Sequence, residues 1–585
     1  MYITKAPTRT ISVLTILFSF GLTSCGGSGS SSTAPTSDIN FPAPAPSPDT
    51  TLPPPDISLN CINDEIDQNK AFTDASRIAG LCYTPLSFNS DSSTSRISGG
   101  IAVADYNSDG MLDLYVTYGR SGRGNLYQQT EGNFFLNVSV EADLSATSVD
   151  RGAVFMDINR DGLPDLISVQ EGSSLLQVFG NNGDGTFNDI TEETGISLTK
   201  PAFSVAAGDY DLDGDLDLFF AHWHTDRAAN PLEFLWQNQG DEGFVDRSNT
   251  VEVLPVTDGG FNVEDPDAEM EYSFTPIFAD INNDKYPDML LAGDFNSSQV
   301  LINNGGTGFI DMTTDVISDR AGMGATVADY DNDGDLDWFV SSNSGDFSES
   351  LADAPLNGNR LYSNDGFGNF TDTTDEAGVR HGYWAWGSCF ADFDNDGYLD
   401  LFVVNGYDGM TQEASDSAVY ASFRDKPARL YINNGDNTYT ERSEELGATH
   451  TQMGRGLACF DYDRDGDLDM IIANNGAAPT LLRNNTFSTD NHFINLRLSG
   501  LTGNPQGVGA RIFVTVAGTT QMIELQLGNN YLSQNPVEAH FGVGTAEIID
   551  SLRIEWPGLG GEISEMENVT VDQFLIVEHP SSGPS

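Results

Sequence analysis

The chain has 585 residues, 87 acidic against 26 basic, for a formal net charge of −61, and its hydrophobic fraction is 39%. That length is too great for one small core, and the apolar content is too high for a disordered acidic tail. Phosphate would meet a strongly negative field, so nucleic acid is excluded as a partner, and no run of 18 or more apolar residues is present to span a membrane.

Lys5 and Arg9 precede an apolar run from Ile11 to Leu22, and Leu22-Thr23-Ser24-Cys25 follows. A charged start, a short apolar core and small residues predict a secretory leader over 1–24. The LTSC string resembles the lipobox of bacterial lipoproteins, which implies lipid on Cys25. Gly26 next to it implies the outer membrane, because in that family an Asp there favours inner-membrane retention. Membrane contact is then expected only through this lipid. Residues 25–56 are rich in Gly, Ser and Pro and read as a tether. Cys61 and Cys82 flank the first folded segment; they form either a disulfide or two buried thiols. Cys389 and Cys459 fall on predicted core strands and are expected to pack as apolar residues.

From residue 57 to 489 one string recurs at intervals of roughly 50 to 70 residues, the signature of a repeat fold. Its form is D-x-[DN]-x-D-G-x-x-D. The candidate ligands are Asp105, Asn107, Asp109 and Asp113; Asp157, Asn159, Asp161 and Asp165; Asp209, Asp211, Asp213 and Asp217. They continue as Asp280, Asn282, Asp284 and Asp288; Asp329, Asp331, Asp333 and Asp337; Asp392, Asp394, Asp396 and Asp400; and Asp461, Asp463, Asp465 and Asp469. Calcium takes six to eight oxygens at about 2.3–2.6 Å, and a tight loop can bring positions 1, 3 and 5 to one point. Gly at position 6 permits the turn, position 7 offers its carbonyl, and the Asp at position 9 closes the shell. Mg²⁺ is the alternative ion. A plain Asp/Asn/Gly turn is the alternative for a single copy, and seven copies that keep oxygen at positions 1, 3, 5 and 9 favour metal. Up to seven Ca²⁺ are expected. The copy from Asp280 has Lys285 in place of Gly and is expected to be the weakest or empty.

Strand-like segments flank each loop, as in IAVA and LYVTY around the first. An Asn-rich turn follows (VFGNNGDGTF, VLINNGGTGF, RLYINNGDNTY), then an aromatic with alternating polar residues, as in FNDIT from Phe187 and FTDTT from Phe370. The seventh loop lacks this last landmark, and a lone copy, FTDAS from Phe72, stands before the first. One module therefore takes its outer strand from the start of the chain. The economical reading is an all-β fold: a closed seven-bladed β-propeller with calcium loops, with an open solenoid as the alternative.

Connections after second and fourth strands lie on the face opposite the metal loops. The long insertions 249–274, 341–358 and 405–428 fall there, so that face is expected to meet a partner. Its candidate contacts are His222, Trp223, His224, Tyr407, Tyr420 and Phe423. His222 and His224 would share a strand face, but no third ligand for a transition metal is evident. Trp384 and Trp386 are expected to pack between blades. No HExxH, GxSxG or CxxC is present, and no catalytic residue is assigned.

Over 490–580 apolar residues alternate: Ile494, Leu496 and Leu498; Ile512, Val514 and Val516; Leu552, Ile554 and Trp556. This predicts a small C-terminal β-sandwich-like domain docked on the propeller. The repeats resemble the FG-GAP/VCBS repeats of integrin-α-type propellers. The strings GNPQGVGARIFV, QMIELQLGNNYLSQNP, EAHFGVGTAEIIDSLRIEWP and VTVDQFLIVE resemble an ASPIC/UnbV domain. The pair in this order is similar to the cartilage acidic protein family and its bacterial relatives, although GNPQG stands where that family has a charged turn. The resemblance implies extracellular calcium binding and no established catalytic residues. The expected function is a lipid-anchored binding or adhesion module for a protein or glycan. A polysaccharide-active enzyme and a scaffold for another envelope protein are the alternatives.

Overall fold

The computed structural model describes residues 70–581 except 83–92, 120–122, 145–148, 172–174, 227–232, 254–255, 258–268, 344–357, 408–422 and 486–489. The leader, Cys25, Cys61 and Tyr420, with most of the three long insertions, lie outside the described residues.

Among the described residues, seven antiparallel sheets share one plan. In the first, Ile101–Ala104, Asp113–Val116, Asn125–Thr130 and Phe134–Asn137 follow one another as a meander. Five more sheets repeat the plan with first strands Val149–Met156, Ser204–Gly208, Glu269–Ala279, Gly322–Ala328 and Ala385–Ala391; in the fourth sheet the strands Trp223–Asp226 and Val256–Thr257 also pair with Glu269–Ala279. The last runs Gly454–Phe460, Asp469–Asn474, Thr480–Asn484 and then Phe72–Asp74, with Phe72 opposite Asn484. The early FTD string thus supplies the outermost strand of the last sheet. The seven first strands pack side by side in a closed cycle, the arrangement of a β-propeller. We number the blades by their metal loops.

Alternation explains the packing. Both faces of each inner strand meet a neighbouring blade, so runs such as Asp469–Asn474 (DMIIAN) are buried throughout. Cys389 and Cys459 depart from their expected role as packing residues. They lie on adjacent first strands with Cα atoms 6.6 Å apart and form a disulfide between blades six and seven. Cys82 is also disulfide-bonded.

The C-terminal region forms two sheets. One orders Ala539–Gly542, Phe493–Ser499 and Gln573–Glu578; the other orders Thr519–Glu524, Arg511–Val516, Ile548–Glu555 and Ile563–Thr570. Ile494, Leu496, Ile512, Val514, Leu552 and Ile554 are all buried between them. This core runs on into blades two and three through Met156, Val205 and Leu218.

One segment of this region leaves its sheets and enters the ring. The Gln534 amide donates to the Ile101 carbonyl (2.8 Å), and its side-chain oxygen accepts from the Phe155 amide (2.6 Å). Leu527 O accepts from the Ala207 amide, Asn530 Oδ1 from that of Ser388, and Asn535 Oδ1 from that of Cys459. The Tyr531 ring packs against Phe203, Phe274 and Trp386. A strip that touches first strands on every side occupies the central channel. Gly100 and Gly456 admit it: a Cβ on either would collide with Leu532 or Ser533.

Candidate metal centres

Each D-x-[DN]-x-D loop joins the first two strands of a blade. Its first aspartate organises the turn: Asp209 accepts from the Asp213 amide (3.1 Å) on one oxygen and from the Gly214 amide (3.0 Å) on the other. The same pair recurs at Asp105, Asp157, Asp280, Asp329, Asp392 and Asp461. These bonds fix one oxygen cradle in every blade.

Four cradles gather three carboxylates with oxygens within 4.8 Å of one another: Asp209, Asp211 and Asp213; Asp329, Asp331 and Asp333; Asp392, Asp394 and Asp400; Asp461, Asp463 and Asp465. In each of these, Oδ1 of the third-position aspartate (Asp211, Asp331, Asp394, Asp463) is buried without a hydrogen-bond partner. A buried, unpartnered carboxylate oxygen beside two more carboxylates is costly unless a cation meets it. Burial, together with the neighbouring carboxylates, pushes Asp329 and Asp461 up to about 8 and Asp209 to about 7. The donor set is all oxygen and hard, so these residues fit a calcium-type cation.

The ninth-position aspartates have a second duty that their spacing does not reveal. Asp337 is fully buried; it accepts from the Tyr330 amide (3.3 Å) and from the Asn364 amide at the end of the third strand (2.8 Å). Every blade repeats this staple, and only Asp400 joins one of the four converging groups. In every blade but the third, where Asn238 bonds Leu216 of its own blade, the partner residue then ties the blade to the one before it. Asn364 Nδ2 donates to the Ile281 carbonyl, Asn433 to Tyr330 and Asn484 to Phe393. In blade one Gln129 takes the position and donates to Tyr462 of blade seven (2.6 Å), which closes the ring. In the sequence these asparagines read as turn chemistry; their recurrence about two residues before each Gly-rich turn is the signal for the second role.

The fourth loop keeps the common backbone in spite of Lys285, which adopts φ +81° where the other loops place Gly. Asp284 and Lys285 amides still bond Asp280 (3.0 and 2.9 Å).

On the opposite face the expected contacts divide. His222 does not meet solvent: it is fully buried, and its two ring nitrogens lie 3.0 Å from the Pro201 and Glu233 carbonyls. Burial between the strands Asp217–Ala221 and Trp223–Asp226 removes it both as a metal ligand and as a partner contact. Trp223 lies in a short strand, Trp223–Asp226, that pairs with Glu269–Ala279, Trp223 opposite Tyr272. The side chain of His224 lies outside the described residues. Tyr407 and Phe423 are buried against Trp384, with centroids 4.8 and 5.2 Å from it, and both also line a cleft of ≈ 290 Å³ with Lys426, Gln452 and Asn475.

Comparison with known proteins matches the FG-GAP-like repeat model over residues 105–168, 157–220, 280–340, 350–403 and 417–505. The ASPIC and UnbV model matches residues 500–584. Cartilage acidic protein 1 of Mus musculus is 23% identical over 496 residues, which cover 80% of this chain and 71% of that protein. T-cell immunomodulatory protein of Mus musculus is 24% identical over 280 residues, 46% of this chain and 39% of that protein. A solved Agrocybe aegerita lectin that recognises non-reducing terminal N-acetylglucosamine aligns at TM-score 0.34 and 15% identity, over 65% of this chain and 86% of the lectin.

Proposed function

Because the chain belongs to the FG-GAP-like repeat family and carries an ASPIC and UnbV domain, we propose that it is a lipid-anchored, calcium-binding propeller of the cell envelope that binds a protein or glycan partner. The observation that carries the calcium reading is the unpartnered buried oxygen at the third position of all four clustered loops. Calcium bound there would neutralise carboxylates that otherwise repel one another. This chain's own residues do the rest. First-position aspartates shape the cradle, third- and fifth-position side chains face it, and ninth-position aspartates staple it to the third strand. The Asp280 loop is the weakest site in this reading.

In the same reading residues 1–24 are removed, Cys25 carries lipid, and 25–56 tether the propeller to the outer membrane. Among the described residues no helix is long and apolar enough to cross a membrane. The C-terminal domain contacts the metal-loop face and its strip fills the channel, so partner contact is assigned to the opposite face, where Tyr407 and Phe423 line the cleft.

Two measurements test this. A pull-down with the mature chain, run with Ca²⁺ and with EGTA, should recover an envelope protein or glycan in calcium; recovery of nothing in either condition counts against the binding role. Cys25→Ser should release the chain from membranes, and continued membrane retention would sink the lipid anchor.

A further inference from the structure

The residue at the fourth position of every metal loop adopts positive φ, from Ser108 to Arg464. That conformation aims several of these side chains at the next loop. Arg160 of loop two donates to Asp215 of loop three (Nε–Oδ1 2.6 Å). Asn283 of loop four donates to Asp335 of loop five (3.0 Å), Asn332 to the Gly397 carbonyl of loop six (3.1 Å), and Asn395 to the Gly466 carbonyl of loop seven (3.1 Å). Ser108 and Leu212 make no such bond among the described residues, and Arg464 donates to Glu538 of the C-terminal domain instead of to loop one. The relay therefore breaks between loops seven and one, one and two, and three and four.

The C-terminal domain touches the loops at two of these breaks and spans the third through the first strands beneath it. Its Glu538 accepts both guanidinium nitrogens of Arg464 in loop seven (2.6 and 2.8 Å), while its Arg497 donates to Asp105 Oδ2 in loop one (3.2 Å). Gln534 bridges the first strands of blades one and two. Gly503 packs on the Gly214 carbonyl of loop three, and Arg511 donates to the Asp280 carbonyl and to Asn283 of loop four.

We infer that the C-terminal domain completes the ring of metal loops, so that cation binding in the loops and seating of this domain with its channel strip are one linked equilibrium. The inference rests on the calcium reading above. Whatever seats the strip must then tighten the loops for cation by the same factor by which cation favours seating. Residues that act on a metal through its ligands typically change affinity about 10–100-fold.

Hydrogen exchange on the full mature chain tests it, after bound calcium has been measured by elemental analysis. In Ca²⁺ the amides of 527–537 should be protected; in EGTA their exchange should rise at least about tenfold while the inner strands stay protected. Reciprocally, Gly100→Ala pushes a Cβ into the Leu532 carbonyl, far along the strand from the aspartates, and should lower calcium affinity about tenfold. Gln534→Ala does the same more mildly if Gly100→Ala fails to fold. A chain that holds no calcium overturns the calcium reading and this inference with it. A chain that holds calcium but keeps 527–537 protected in EGTA overturns the inference alone. So does a Gln534→Ala protein whose strip exchanges faster while its calcium affinity is unchanged.

Discussion

The seven loops share a backbone but divide by their third residue. Where it is Asp, in the loops from Asp209, Asp329, Asp392 and Asp461, one carboxylate oxygen stays buried and unpartnered. Where it is Asn, in the loops from Asp105, Asp157 and Asp280, the side-chain oxygen accepts from the fifth-position amide at 3.1, 2.9 and 2.9 Å. The neutral amide satisfies itself within the turn. The carboxylate waits for a cation. One class can thus hold its shape without metal, and the other can do so only against repulsion between charges. That difference also separates what a divalent ion would do in each: it would complete a turn in the first class and rescue one in the second.

Chelation is the strongest way to break this comparison. Each ion at about 100 times its dissociation constant adds about 2.7 kcal/mol, and several act together, so EGTA should lower the melting temperature by on the order of 10 °C or more. The pH dependence sharpens it. Burial, with the neighbouring carboxylates adding to it, raises Asp329, Asp461 and Asp113 to about 8, above an unfolded value of 3.8. The metal-free fold then holds protons that the unfolded chain has released. This contribution is greatest near pH 4 and is lost as pH climbs through about 8. Calorimetry in EGTA should show the melting temperature falling from pH 5 to pH 8, with the gap to the calcium form widest at the alkaline end. A flat profile in EGTA would remove the argument from crowded carboxylates.

A smaller effect separates the classes directly. Asp331→Asn removes one carboxylate from its cradle and should weaken calcium at that loop about tenfold; Asn159→Asp adds one and should strengthen its loop by a similar factor. Equal affinities across this exchange, read by titration calorimetry, would mean that the third position does not set the two classes apart.

Much of this was legible in sequence because the relevant chemistry is local. The loop needs oxygen at fixed spacing, so seven copies announced seven cradles, and the displaced FTD string announced that the last module takes its outer strand from the start of the chain, where Phe72 pairs with Asn484. Contacts that depend on the ring were not legible. Asn364 reads as a turn residue until the preceding blade brings the Ile281 carbonyl to its amide. Cys389 and Cys459 are 70 residues apart, and only adjacent first strands make them neighbours. His222 reads as a partner contact because strand periodicity reports a face and not what covers it. The segment QLGNNYLSQNP carries no pattern that marks it as a channel strip; its polar residues are there to pair with inner-strand backbone that would otherwise lie unsatisfied.

Lys285 gives the smallest and most discriminating prediction. It is exposed, and it holds φ +81° where a Cβ is disfavoured. Such strain costs of order 1–3 kcal/mol for a non-glycine residue. Its side chain reaches toward Gly561 of the C-terminal domain, and an exposed contact of this kind is worth only a few tenths of a kcal/mol. Relief of strain therefore wins, and Lys285→Gly should raise the melting temperature by about 1–3 °C, since unfolding a chain of this size carries an entropy of roughly 1 kcal/mol per degree. The condition in which the gain appears identifies its cause. A gain of equal size in calcium and in EGTA is backbone strain alone. A gain confined to calcium means that the ammonium had kept the fourth loop from binding the ion its backbone is shaped to hold. A loss in both would show that the contact with the C-terminal domain outweighs the strain.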